Sequence, residues 1–214
     1  MPPLSHRQGP FLPCPDHAGV AWTWPTRNQA LFDQPAAFFA RTRVNPDYGK
    51  PGWTRDAGKR FHCGCDIAPV RATPTGDTRR VMFTDPATGE EFPSDEPAWI
   101  PDDIVMAIAD GVVHESVIDE TRSTFGQHVV LEHRWPDDGS RYFSIYAHVR
   151  DIVVANGEPV SAGRMLAHMG QTSASEDARR WMAIAPHVHL EIWDDQQQPY
   201  DPVALLLRFL PRPR

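Results

Sequence analysis

The sequence predicts a mainly β protein, built from short antiparallel strands with long loops and one short helix near its end. Two observations carry this prediction. From Phe61 onward, short stretches alternate between apolar and polar residues and are separated by turn residues. The chain also holds 22 prolines among 214 residues, and proline removes backbone donors and interrupts helices. We therefore expect an antiparallel sheet or a barrel-like sandwich.

The individual elements follow from local patterns. The segments 127–134 and 141–149 are rich in β-forming residues and are joined by WPDDGS, which is a strong hairpin connection. The segment 103–118 alternates as well, with a turn at Asp110-Gly111. At the end of the chain, Asp201 is predicted to cap a short helix that begins at Pro202. The segment 158–170 has turn signals every few residues, and 187–195 is predicted to be another alternating strand.

We divide the chain into a Pro-rich extension at 1–45 and one domain at 46–214. The extension is weakly periodic, so we expect it to lie on the domain without a core of its own. Two polar stretches near 71–102 and 173–185 are interpreted as insertions between strands. The first of them contains DPATGEE, which is typical of a small hairpin.

Composition excludes several classes of partner. The net charge is −7 and no run rich in Lys or Arg occurs, so a nucleic-acid partner is not expected. No apolar stretch reaches about 18 residues, so we predict no membrane span. The amino terminus lacks the pattern of a secretion signal, which indicates either a cytoplasmic protein or one without its leader. The oligomeric state is left open.

The stretch HCGCD at 62–66 could bind a metal with every one of its four side chains. On a continuous strand, His62, Gly64 and Asp66 would share one face, while Cys63 and Cys65 would share the other. We expect Gly64 to leave space for an ion. The two cysteines are interpreted as small core residues, although thiolates also bind zinc well.

Three other histidines can complete such a site. His187 and His189 in APHVHLEIW share a face if that segment is a strand, and His148 lies near the end of another predicted strand. Histidine is the commonest metal ligand, and a carboxylate is its usual partner in catalytic zinc sites. Two histidines in one strand, taken alone, lie more often on the surface or in the core than at a metal site. Together with His62 and Asp66, the pattern is much more specific for a metal site.

The motifs RFHCGCDIAP, MAIADGVV, SIYAHV, GEPVSAGRMLAHMGQTS and PHVHLEIW occur in this order. From about residue 46 to 204 the chain strongly resembles the lysostaphin/LytM-type zinc endopeptidases, which cut peptidoglycan cross-bridges. The resemblance implies the antiparallel β fold of that family, a barrel-sandwich hybrid also described as a duplicated hybrid motif.

The resemblance also implies the roles of five residues. His62, Asp66 and His189 would bind one zinc ion per chain. His148 and His187 would be the catalytic histidines, which orient or deprotonate the water, stabilise the oxyanion and protonate the leaving amine. The resemblance does not divide these steps between the two histidines.

The function expected from this resemblance is hydrolysis of peptide bonds in the stem or cross-bridge peptides of bacterial peptidoglycan. The alternatives are a non-catalytic regulator of wall amidases, a carboxypeptidase that trims stem peptides, and an intracellular zinc peptidase with a non-wall substrate. The family implies the cell envelope or the extracellular space, whereas the missing signal keeps the cytoplasm open.

A few other residues carry weaker expectations. Tyr48 is a candidate substrate contact, and Tyr146 is predicted either to line the site or to pack in the core. We expect the two insertions to wall the substrate groove, with Trp181 as a contact. In some members of the family an amino-terminal segment blocks the zinc. Here the candidates for that contact are Asn45, Asp47, His17 and Cys14.

Overall fold

The computed structural model describes residues 10–40, 45–70, 103–174 and 186–212, together with the backbone of 82–84 and 91–93. The predictions for Trp181 and for most of the two insertions lie outside these residues. None of the helices in these residues has the length and the hydropathy of a transmembrane span.

Helices form a small part of the described chain. They are α1 (Pro35–Phe38), one 3₁₀ turn (Asp56–Gly58) and α2 (Pro202–Phe209). Helix α2 begins as predicted, because the Asp201 carboxylate accepts hydrogen bonds from the backbone N–H groups of Val203, at 2.9 Å, and Ala204, at 3.2 Å.

Strands account for most of the regular structure. They are β1 (Gly52–Arg55), β2 (Arg60–His62), β3 (Cys65–Ile67), β4 (Met82–Thr84), β5 (Glu91–Pro93), β6 (Ile104–Met106), β7 (Gly111–Val117), β8 (His128–Arg134), β9 (Arg141–Ala147), β10 (Val149–Arg150), β11 (Pro159–Val160), β12 (Met165–Met169), β13 (Val188–Asp194) and β14 (Pro199–Tyr200).

The main sheet has seven strands in the order β11-β7-β8-β9-β13-β14, and β3 also pairs with β13. A three-stranded sheet has the order β10-β12-β6. The pairs β1-β2 and β4-β5 are two separate two-stranded sheets. Every pairing of these strands is antiparallel. The mainly β, antiparallel prediction is therefore confirmed, including the β8-β9 hairpin across 135–140 and the small β4-β5 hairpin.

The predicted turn at Asp110-Gly111 separates two strands. The segment 103–118 forms β6 and β7, which belong to different sheets. Between them the backbone N–H of Ile108 donates to the Tyr146 hydroxyl at 2.9 Å instead of continuing a strand ladder. The sequence predicted the turn, but alternation alone could not reveal that the strands on its two sides join different sheets.

The core draws on both ends of the chain. Trp22 is buried, and its indole N–H donates to the Tyr142 hydroxyl at 3.1 Å. The Trp22 ring also stacks on Trp135, with centroids 6.4 Å apart, and packs against Phe209 of α2. Residues 10–40 thus have no separate core and supply part of the shared one. The division of the chain at residue 45 stays a prediction.

Strand β13 organises the part of the sheet that matters for function. It pairs with β9 along one edge, and with both β3 and β14 along the other. His189 lies directly opposite Asp66 of β3 on one side and Ala147 of β9 on the other. The register of three strands therefore fixes what surrounds His189.

Candidate metal centre

Three side chains with metal-binding atoms converge where β13, β3 and the end of β2 meet. His62, Asp66 and His189 are all buried, and their ligand atoms lie within 4.8 Å of one another. His62 Nε2 is 3.1 Å from His189 Nδ1 and 3.3 Å from Asp66 Oδ1. His189 Nδ1 is 2.8 Å from the same carboxylate oxygen. The structure thus brings together the three predicted ligands.

The spacing of these atoms fits a small tetrahedral cation. Zinc binds nitrogen and oxygen at about 2.0–2.2 Å, so neighbouring ligands of a tetrahedral site are about 3.3–3.5 Å apart. The observed separations of 3.1, 3.3 and 2.8 Å approach that edge length. Two histidines and one carboxylate are also a donor set found in catalytic zinc sites, where the fourth position stays open.

Gly64 has a different role from the predicted one. Strand β2 ends at His62 and β3 begins at Cys65, so the stretch is not one continuous strand. A Cβ at Gly64 would lie 2.6 Å from His189 Cε1 and 2.6 Å from the Leu190 carbonyl oxygen. The space that the missing side chain leaves is therefore occupied by the ring of His189.

The two cysteines of this stretch lie in apolar surroundings. Cys65 belongs to the large core cluster, and Cys63 packs with residues such as Phe61 and Trp193 in a smaller one. Burial raises the pKa of the Cys63 thiol to about 12 and that of Cys65 well above its usual value. Neither belongs to the group of converging ligand atoms, which agrees with their interpretation as core residues.

Two carboxylates flank the ring of His189. Its Nδ1 faces Asp66, while its Nε2 is 2.8 Å from Glu191 Oε1. The second oxygen of Glu191 accepts a hydrogen bond of 2.7 Å from the indole N–H of Trp193. Burial alone would lower the pKa of His189, but these carboxylates raise it to about 9. Glu191 was missed from the sequence, although it continues the alternation of His187 and His189.

Arg55 is a second residue that the sequence did not reveal. Its guanidinium is buried beside the ligands, with Nη2 2.9 Å from His62 Nε2 and hydrogen-bonded to Asp66 Oδ2. Burial would raise the pKa of Asp66, but the positive charge of Arg55 beside it holds that pKa well below its usual value. Asp66 is therefore ionised, as a metal ligand must be.

The two predicted catalytic histidines lie together beside this group. The ring centroids of His148 and His187 are 5.0 Å apart, and those of His148 and His189 are 5.8 Å apart. His148 Nδ1 is 2.8 Å from the Thr172 carbonyl oxygen, which can only accept, so Nδ1 carries the hydrogen. Burial, together with the charges of His187 and His189, lowers the pKa of His148 to about 3.

The backbone holds these histidines in place. His148 has φ +62°, a left-handed conformation that is uncommon for histidine, and its N–H donates to the Phe125 carbonyl at 2.9 Å. The backbone N–H of His187 donates to the Gly170 carbonyl at 3.2 Å. The ring of Phe125 lies 5.5 Å from that of His189 and forms an apolar wall.

The other candidates lie elsewhere or have different roles. Tyr146 is fully buried in the core and does not line the site. The Tyr48 ring lies 3.5 Å from the guanidinium carbon of Arg55, so it reaches the site through that residue. The four candidates for an amino-terminal contact that blocks the zinc do not belong to the converging ligand group. Their described contacts are elsewhere: His17 with Asp137, Asn45 with Thr54, Asp47 with Lys50, and Cys14 with Pro15.

Comparison with known families gives the class of the domain. Residues 98–202 match the profile of peptidase family M23. This part of the chain belongs to peptidase family M23. The match contains His148, His187 and His189, whereas His62 and Asp66 precede it. The resemblance to lysostaphin-type peptidases is thereby confirmed, and the M23 domain is of the peptidase class.

Several solved structures are similar to the chain at low identity. The catalytic domain of lysostaphin from Staphylococcus simulans is 20% identical, with 75% of this chain and 90% of that chain covered and a TM-score of 0.44. The catalytic domain of the M23 protein EnpA from Enterococcus faecalis is 18% identical, with 77% and 88% covered and a TM-score of 0.45. Csd3 from Helicobacter pylori is 15% identical, with 87% and 33% covered and a TM-score of 0.47.

Proposed function

We propose that this chain is a zinc metalloendopeptidase that hydrolyses peptide bonds in the stem or cross-bridge peptides of bacterial peptidoglycan. The observation that carries the proposal is the buried group of His62, Asp66 and His189, with two further histidines beside it. Family M23 membership supports peptide-bond hydrolysis. A wall substrate would place the working enzyme in the cell envelope or outside the cell.

One zinc ion per chain would be held by His62 Nε2, Asp66 Oδ1 and His189 Nδ1. When bound, zinc supplies Lewis acidity, which lowers the pKa of a bound water toward about 7 and polarises a carbonyl group. Glu191 orients the ring of His189 through Nε2, because a carboxylate behind a ligating histidine fixes its tautomer and direction.

His148 and His187 would move the protons of the reaction. Because the Nδ1 hydrogen of His148 is bound to Thr172, the lone pair of this neutral ring is on Nε2, which can accept a proton. His187 lies close enough to share that task or to stabilise the developing oxyanion. Two adjacent rings with fixed backbones suit such transfers, because little reorganisation is then needed.

The decisive experiment is incubation of the zinc-loaded protein with intact peptidoglycan, followed by mass spectrometry of the released fragments. His148→Ala and His187→Ala should each lower the cleavage rate about 100-fold or more, the usual range for a lost acid or base, while zinc content is retained. His114→Ala is the matched control, because His114 is partly exposed and lies outside the site.

The fragments also separate the alternatives. New amino termini inside stem or cross-bridge peptides support the endopeptidase, whereas release of single carboxyl-terminal residues indicates a carboxypeptidase. A zinc-loaded protein that cleaves unrelated peptides but not peptidoglycan has a non-wall substrate. Zinc binding without cleavage of any peptide would contradict the enzymatic proposal and favour a regulator.

A further inference from the structure

Arg55 occupies an unusual place for a cation, because it lies against two of the three proposed metal ligands. Its Nη2 is 2.9 Å from His62 Nε2 and also donates to Asp66 Oδ2. An Nη2 group carries two hydrogens, so it can serve both acceptors at once.

The tautomer of His62 makes this contact informative. His62 Nδ1 is 2.7 Å from the Lys50 carbonyl oxygen, which can only accept, so Nδ1 is the protonated nitrogen. The lone pair of the neutral ring is then on Nε2, the atom proposed to bind the metal. Arg55 and a metal ion would therefore use the same lone pair.

The Arg55 guanidinium has few contacts besides those with His62 and Asp66. Tyr48 covers the guanidinium at 3.5 Å, which is a cation–π contact. Within the described part of the chain, the buried Nε has no hydrogen-bond partner. The polar contacts that hold the buried guanidinium are thus those to His62 and Asp66, both of them proposed metal ligands.

We propose that Arg55 is an internal competitor of the metal ion: it satisfies His62 and Asp66 when no metal is bound, and it weakens metal affinity for that reason. The inference rests on the proposed function, because it uses the same ligand set. The guanidinium gives up its contact with His62 Nε2 on metal binding. It keeps the contact with Asp66 Oδ2, which leaves Oδ1 for the ion.

The energetics favour an effect in this direction. In the metal-free chain, removing Arg55 leaves buried acceptors unpaired, which is costly. In the metal-loaded chain one of those acceptors is already satisfied, and the guanidinium also lies close to a second cation. Loss of Arg55 therefore destabilises the metal-free state more than the loaded state, and the affinity for metal rises.

The test compares zinc affinity in Arg55→Gln, Arg55→Met and the unchanged protein, measured by competition with a chromogenic chelator. Both variants should bind zinc about tenfold more tightly or better, the equivalent of one charge-assisted hydrogen bond. Arg60→Gln is the matched control. It removes the same charge from the residue opposite Arg55 in the β1-β2 pair, and Arg60 is half exposed and bound to Asp56.

Unfolding temperatures give a second reading, which also serves if a metal-free variant is too unstable to titrate. The rise in Tm on zinc addition should be larger in the two Arg55 variants than in the unchanged protein and in Arg60→Gln. An equal or smaller rise, or equal or weaker zinc affinity, overturns the inference and assigns Arg55 to holding Asp66 for the metal.

The two proposals can fail separately. If the unchanged protein binds zinc and cleaves peptidoglycan, and the Arg55 variants bind zinc no more tightly, only the competition is wrong. If neither the unchanged protein nor any variant binds zinc, the competition and the zinc peptidase proposal are both wrong.

Discussion

At the scale of single residues, the candidate site depends on the lack of a side chain at Gly64 as well as on its ligands. Gly64 has no side chain, and the ring of His189 fills the resulting space. Since that ring also faces Asp66 and Glu191, it has little room to move. Even a small side chain at Gly64 should therefore change the affinity for zinc.

Gly64→Ala should displace His189, because the new Cβ would lie 2.6 Å from its Cε1 and also 2.6 Å from a backbone oxygen. We expect zinc affinity to fall at least about tenfold, the smaller loss typical of a disturbed ligand environment. Equilibrium dialysis with metal analysis measures it. Gly139→Ala is the control: it lies in an open loop at φ +72°, so it should cost about 1 kcal/mol of stability and leave zinc affinity unchanged.

Glu191→Gln tests the carboxylate behind His189. The substitution keeps the shape but removes the charge that orients and polarises the ring, so zinc affinity should fall about 10–100-fold. The measurement is chelator competition at pH 7. Glu120→Gln, at an exposed position, should change nothing. Equal affinities in the two variants would mean that Glu191 only holds Trp193.

At the scale of elements, the pair β8-β9 carries a buried polar chain within the core. The Ile108 N–H bonds to the Tyr146 hydroxyl, which contacts Ser144 Oγ at 3.1 Å, and Ser144 lies 2.7 Å from His133 Nε2. The other ring nitrogen, His133 Nδ1, donates to the Asp110 carbonyl at 2.8 Å. The ring is thus fully satisfied when neutral. Burial lowers its pKa from an ordinary 6.5 to about 4.

This residue should make stability depend on pH. Between pH 6.5 and about 4 the unfolded chain binds a proton on this imidazole that the folded chain does not, so the free energy of unfolding falls as pH falls. From pH 7 to pH 5 the loss should be about 2 kcal/mol. His133→Asn should reduce the pH dependence of metal-free protein by that amount in urea unfolding, whereas His114→Asn should not. Identical slopes in both variants would remove His133 as the cause.

At the scale of the whole molecule, the amino-terminal arm is structural. Trp22 packs with Trp135, Tyr142 and Phe209, which come from the β8-β9 hairpin and from α2. The arm thereby joins the sheet to the end of the chain. An extension without a core of its own can still be needed for folding.

Trp22→Ala should lower the free energy of unfolding by about 3–5 kcal/mol, because it removes a large buried side chain and its hydrogen bond. Chemical denaturation measures the change. Trp53→Ala makes the same substitution at a side chain that is 56% exposed and should cost less than about 1 kcal/mol. Comparable losses in both would show that the arm adds little to the core.

The sequence was sufficient where local patterns decide the structure. The β-rich runs on both sides of WPDDGS marked the β8-β9 hairpin, and Asp201-Pro202 marked the start of α2. It was insufficient where distant segments meet. Arg55 reaches His62 only because β1 returns to β2 through three residues with positive φ, Asp56, Ala57 and Gly58, and no familiar turn motif marks that path. The role of Gly64 likewise required knowledge of which ring stands opposite it.

The position of His189 between Asp66 and Ala147 ties metal binding to the correctness of the fold. Side chains of a strand alternate in direction, so a slip of β13 by one residue would turn His189 away and present a leucine or valine instead. A misassembled sheet would then hold no ion, whatever its content of β structure. Bound zinc per chain would consequently serve as a quality measure for refolded protein, more sensitive to register than circular dichroism.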